Sequence, residues 1–238
     1  MSGAIPPDDH HRDVTGGWLR PAVFGAMDGL VSNFALMAGV AGGTAASGGD
    51  RSAVVLAGLA GLAAGAFSMA AGEYTSVASQ SELAEQEFEN ERIELHRNAE
   101  GEAKELAQIW VRRGVDLELA EEVARQLGRN PEAALEVHAR EEIGLAPGEL
   151  PNPWVAAGSS FLAFAVGALI PLLPYMFGAQ TLLVSAVLSV IGLFVAGVLV
   201  SRVTARSWWF SGLRQLGVGV LAAVVTFGVG HLVGTSLG

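Results

Sequence analysis

The feature that most constrains this chain is a long run without charge. From Trp154 to Ser201 there is no Asp, Glu, Lys or Arg. About 20 helical residues cross a ~30 Å hydrocarbon core, so the run is long enough for two membrane spans. Pro171, Pro174 and Gly178-Ala179-Gln180 near its middle are expected to mark the turn between them. Three more stretches have the same character, and together they predict five transmembrane helices, at about 21–43, 53–75, 154–176, 180–201 and 213–236. Trp18 and Arg20 precede the first, as interface anchors should. A helix of a soluble core is usually shorter and keeps a polar face, whereas these runs are apolar all round.

The charges are segregated. Residues 73–149 carry 19 of the 24 carboxylates against 8 of the 14 Lys and Arg, a local net of −11, while the whole chain stands at −10. The expected fold class is therefore an all-α integral membrane protein with five transmembrane helices and an acidic helical domain inserted between helices 2 and 3. The expected division is a flexible tail over 1–17, spans 1 and 2 over 18–75, the acidic domain over 76–152 and spans 3 to 5 over 153–238. In the tail, Asp8, Asp9, His10 and His11 read as a solvated segment or a metal contact. Arg12, Arg20, Arg202, Arg206 and Arg214 flank spans on one side and Arg51 alone on the other, which predicts a cytoplasmic N-terminus and acidic domain. The absence of Cys excludes disulfides, thiolate metal sites and a Cys nucleophile. The acidic balance excludes nucleic acid as a partner, since nothing is present to neutralise phosphates.

Asp28 lies within the first span. A carboxylate at mid-helix costs roughly 2.5–3.5 kcal/mol on insertion scales, so it faces a polar cavity or lies close enough to the interface to be hydrated. Met69 and Glu73 share a face of the second span as i and i+4. One soft and one hard ligand suit a transition metal better than Ca²⁺ or Mg²⁺. The second span is expected to continue as one helix to about His96, because no Gly or Pro interrupts it. Beyond it, Asn98 and Gly101 allow a break, Leu117 to Leu127 forms a helix, and Asn130-Pro131 starts another that stops at Gly144. Glu91/Glu94 and Glu102/Glu105 are i, i+3 pairs, and His138/Glu142 is an i, i+4 pair. Packed together they would surround a divalent cation; left apart they are solvated faces. The Glu-xx-His pair of carboxylate-bridged di-iron bundles is missing.

Several separated motifs, in order, resemble the vacuolar iron transporter family: Gly25-Ala-Met-Asp-Gly-Leu30, Ala60-Gly-Leu-Ala-Ala-Gly-Ala-Phe-Ser-Met-Ala70 with Gly72-Glu-Tyr74, Arg129-Asn-Pro131, Glu142-Ile-Gly-Leu145 and Ile170-Pro-Leu-Leu-Pro-Tyr175. The likeness covers about residues 17–236. It implies a five-span homodimeric exporter of Fe²⁺ and similar ions coupled to protons, with an acidic metal-binding domain. By that likeness Asp28 and Met69 fall on the pathway, and Glu91, Glu94, Glu102, Glu105 and Glu142 on the domain's metal-binding carboxylates. Gly61 stands where the plant-type pattern has a carboxylate, which leaves Glu73 as the nearest acid. His138-Ala139 stands where it has a Met pair. The expectation is thus a transporter rather than an enzyme, with no tightly bound cofactor. Fe²⁺, Mn²⁺ or Zn²⁺ would be the transported or domain-bound ion, and the membrane the cell membrane of a bacterium or the vacuolar membrane of a eukaryote. The alternative is a membrane-anchored iron-binding or ferroxidase protein without transport.

Overall fold

The computed structural model describes residues 17–45, 48–204 and 206–237. The expected tail, all but its last residue, lies outside these. Among the described residues there are eight helices and no strand: α1 Leu19–Thr44, α2 Arg51–Arg97, α3 Ala99–Arg112, α4 Leu117–Leu127, α5 Pro131–Glu142, α6 Pro153–Met176, α7 Leu182–Thr204 and α8 Trp208–Leu237. Five of them, α1, α2, α6, α7 and α8, are long and apolar enough to cross a membrane. The chain is an all-α, multi-pass membrane protein. Its contacts divide it into two compact units, Met1–Thr75 with Pro153–Gly238, and Ser76–Asn152.

In the spanning unit, α1 is the central helix. It packs on α6 and α8 and, less extensively, on α7. These approaches are backbone to backbone. A Cβ added at Gly29 would lie 2.2 Å from the Phe164 carbonyl oxygen of α6, and one at Gly230 of α8 would lie 1.9 Å from the Gly39 carbonyl oxygen. No side chain larger than hydrogen fits at either place. In lipid the hydrophobic effect does not drive helices together, so close van der Waals approach carries the packing. Small side-chain clusters complete the unit. Met37, Val54, Leu172 and Tyr175 form one, and Ala66, Phe164 and Ala168 another, which seats α2 against α1 and α6. Large apolar side chains such as Leu56, Phe67, Leu183 and Leu221 stand exposed on these helices, as a lipid-facing surface requires.

α6 ends at Met176, as the expected span has it, but Pro171 and Pro174 do not take part in the turn. Both lie inside the helix, and the turn falls at 177–181, with Gly178 at φ +102°. Proline is tolerated in a spanning helix where neighbours re-satisfy the backbone it disturbs. Separately, Arg51 caps the end of α6, donating from Nε and Nη2 to the Tyr175 carbonyl at 3.0 and 2.6 Å. The last span begins at Trp208, five residues ahead of the expected start, because Trp208, Trp209 and Phe210 extend its apolar run.

The acidic unit is built on capped helices. Asn98 accepts from the Gly101 N–H, Asp116 from Glu118 and Leu119, and Asn130 from Glu132 and Ala133 ahead of Pro131. α3 and α4 pack through Leu106, Ala107, Ala120 and Ala124. The second half of α2 packs on α5 through Ala84, Phe88 and Ala139.

The glycine contacts are testable within one helix. Gly228→Ala, whose Cβ meets nothing within 4 Å, should leave the melting temperature of the detergent-solubilised protein unchanged or slightly raised. Gly230→Ala should destabilise by roughly 3 kcal/mol or more, or prevent folding. Equal melting of the two variants would contradict this packing.

Candidate metal sites

The acidic unit gathers its carboxylates around one histidine. Phe88 on α2 and Ala139 on α5 are in the same buried cluster. One turn beyond Phe88 comes Glu91, and the residue before Ala139 is His138, so that packing sets the two face to face. His138 is 1% exposed and Glu91 7%. His138 Nδ1 lies 3.1 Å from Glu91 Oε1 and 3.3 Å from Glu142 Oε1. One nitrogen cannot satisfy both. It is hydrogen-bonded to Glu142, and Glu91 Oε1 is left buried with no hydrogen bond. Glu91 also meets Glu94 and Glu102. Two groups result, Glu91–His138–Glu142 and Glu91–Glu94–Glu102, each with one ligand atom per residue, all within 4.8 Å of one another.

The electrostatics follow from this crowding. Burial, and after it the charges of Glu142, Glu102, Glu94 and Glu105, push Glu91 up to about 7 from the usual 4.5. Glu102 is raised mainly by burial and then by Glu105, with His138 opposing. Buried like charges are unfavourable unless a counter-charge arrives. A divalent cation is such a counter-charge, and oxygens with one imidazole suit a first-row transition metal.

Of the six residues expected here, the structure brings five together: Glu91, Glu94, Glu102, His138 and Glu142. Glu105 is exposed and joins neither group, although its charge acts on Glu91 and Glu102.

The spanning unit holds a second candidate site. A cavity of about 270 Å³ opens between α1, α2 and α6, lined by Asp28, Ser32, Asn33, Leu36, Gly61, Gly65, Ser68, Met69 and Phe164. Asp28 is on its wall, with no paired cation among the described residues. Met69 lines the same space and is half-buried. Glu73, one turn further along α2, is half-buried and stands outside this lining. Asn33, Ser32 and Ser68 are cavity residues that sequence reasoning missed. Ser32 and Ser68 are neighbours, by one turn or one residue, of the Asp28 and Met69 already singled out; nothing local distinguishes Asn33.

A multi-pass membrane protein with a carboxylate facing a cavity within its spans, and a carboxylate–imidazole cluster in an inserted unit, belongs to the class of membrane proteins that handle cations. The chain matches the VIT family over residues 19–231 and belongs to it. It is 38% identical to the "Vacuolar iron transporter" of Acanthamoeba castellanii, over 96% of this chain and 84% of that protein. It is 34% identical to "Vacuolar iron transporter 2" of Oryza sativa subsp. japonica, over 94% of this chain and 92% of that one. Against "Vacuolar iron transporter 1" of Arabidopsis thaliana the identity is 33%, over 92% and 88%. These names are those of transporters, not enzymes.

Glu91 gives a pH signature. Its raised value means that its contribution to folding is fully present below about 4.5 and is lost as pH rises through about 7. In metal-free protein at pH 8, Glu91→Gln should therefore be more stable than the parent and melt higher, by at most about 2–3 kcal/mol of stability. The gap should narrow as pH falls and close near 4.5. Metal binding should run the other way. Mn²⁺ affinity of the parent, followed by calorimetry, should weaken at least tenfold per pH unit below 7, since the proton on Glu91 must leave for the metal to bind. A Glu91→Gln variant that melts lower than the parent at pH 8 would contradict the buried charge.

Proposed function

We propose that this protein exports divalent transition metal from the cytoplasm, carrying Fe²⁺ and also Mn²⁺, in exchange for protons. The observation that carries the reading is Asp28, an acid without a counter-charge on the wall of a cavity shared with Met69 inside the spanning unit. A carboxylate is kept at such a place only where it has a use that offsets the cost of inserting it. The names of the relatives support iron as the ion.

In this reading the acidic unit is cytoplasmic and collects the ion. Glu91, Glu94, Glu102 and Glu142 supply oxygen and His138 nitrogen, with Glu105 adding to the field that draws cations in. In the spans, Asp28 binds the ion electrostatically and Met69 adds a soft ligand that favours Fe²⁺ over Mg²⁺ and Ca²⁺. Glu73 lies on the route to Met69 along α2. Passage requires sites that hold the ion without trapping it. A carboxylate meets this need when a proton can replace the metal, so protons entering from the far side would discharge Asp28 and reset it. The protein would act as a homodimer with its N-terminus in the cytoplasm, in the cell membrane of a bacterium or the vacuolar membrane of a eukaryote.

The test is ion uptake into proteoliposomes holding the purified full-length protein. Asp28→Asn keeps the shape and removes the charge, and should lower Fe²⁺ and Mn²⁺ uptake at least 100-fold while leaving metal binding by the acidic unit intact. Uptake at the parent rate would remove Asp28 from the pathway. Binding by the parent with no uptake at all would favour an iron-binding membrane protein over a transporter.

A further inference from the structure

Asn33 is the one cavity residue whose side chain is both fully buried and half-used. It is 1% exposed. Its Nδ2 donates to the Ala168 carbonyl of α6 at 2.7 Å. A carbonyl only accepts, so this bond fixes which end of the amide is which. The other end, Oδ1, has no hydrogen-bond partner and is buried. A buried, unsatisfied amide oxygen is unfavourable and calls for an explanation beyond packing.

The place where Oδ1 points supplies one. A Cβ at Gly61 of α2 would lie 2.7 Å from Oδ1 and 2.6 Å from Leu36 Cδ2, so the oxygen faces, beside the end of Leu36, a position where α2 has no side chain. Asn33 and Gly61 both line the cavity that holds Asp28 and Met69. Asn33 comes five residues after Asp28 on α1, a rise of roughly 7.5 Å along the helix. On α2, Gly61 comes eight residues before Met69. The cavity therefore has two levels, one with Asp28 and Met69 and a deeper one with Asn33 and Gly61.

We infer that the Asn33 side-chain oxygen is a second, uncharged station on the ion path, receiving a divalent cation from Asp28 where Gly61 bares the backbone of α2. This rests on the transport reading given above. An amide oxygen is a hard, neutral ligand. It replaces part of the ion's hydration shell and adds no charge to hold it. It therefore suits a transit point beyond a carboxylate. It also favours the harder Mn²⁺ over Fe²⁺ relative to the thioether level.

Proteoliposome uptake of Mn²⁺ and of Fe²⁺ by the full chain tests this with two variants. Asn33→Leu removes the oxygen while keeping the branched shape, four heavy atoms for four. Gly61→Ala keeps the Asn33 side chain and sets a methyl against its oxygen, with the flexible end of Leu36 giving way. Both should lower Mn²⁺ uptake at least tenfold and Fe²⁺ uptake less, changing the ratio of the two. A merely structural Asn33 would not move that ratio. Should Asn33→Leu fail to fold, Gly61→Ala decides alone. Parent-like uptake of both ions by a folded variant overturns the role of Asn33 and leaves the transport reading standing. A parent protein that moves neither ion overturns both.

Discussion

The spanning unit depends on the backbone contact of α1 with α6 and α8. Lipid does not squeeze these helices together, so the attraction must come from many atoms at close range. Close range is available only where carbonyl oxygens of one helix meet bare Cα atoms of the other, as at Gly29 on Phe164 and at Gly230 on Gly39. This packing holds α1 rigidly against two neighbours. α2 is seated on α1 at Met37 and Val54, and beside that seam Asp28 and Asn33 line the cavity that α1, α2 and α6 share. The polar groups are thus presented by a firm wall, which a site for a small ion needs.

The acidic unit solves a different problem. Its helices are capped and joined by short turns, and each pairwise seam is modest, built on Ala and Phe88 on one side and on Leu106 with Ala on the other. Into that small interior it admits Glu91, Glu102 and His138, which are costly to bury. The cost is why Glu91 holds its proton to about 7. In the proposed function the same cost would become affinity, with a cation taking the proton's place. Stability without metal and affinity for metal are here opposed properties of the same carboxylates.

Much of this was legible in the sequence. An uncharged run of the length between Trp154 and Ser201 leaves few choices, and the unbroken stretch after Glu73 carries α2 to Arg97 as its composition implies. Asn130-Pro131 marks the start of α5 because capping is local chemistry. What was not legible depends on partners far away in the chain. Glu102 and Glu105 have ligand spacing, yet only Glu102 shares the buried face of α3 with Leu106 and Ile109. Arg51 is a lone basic residue between two spans until it is seen at the Tyr175 carbonyl, 124 positions away. Asn33 is an ordinary residue in an apolar run until Ala168, 135 positions away, pins half of it.

The central claim is that the charge pattern exists to move a divalent ion against protons. The most direct measurement starts with sealed vesicles containing the protein and equal Mn²⁺ inside and out. A pH gradient, acidic inside, is then imposed. The account predicts that Mn²⁺ accumulates inside above its external concentration and that the gradient dissipates faster as it does. Mn²⁺ that stays at its starting distribution while the gradient holds would contradict it.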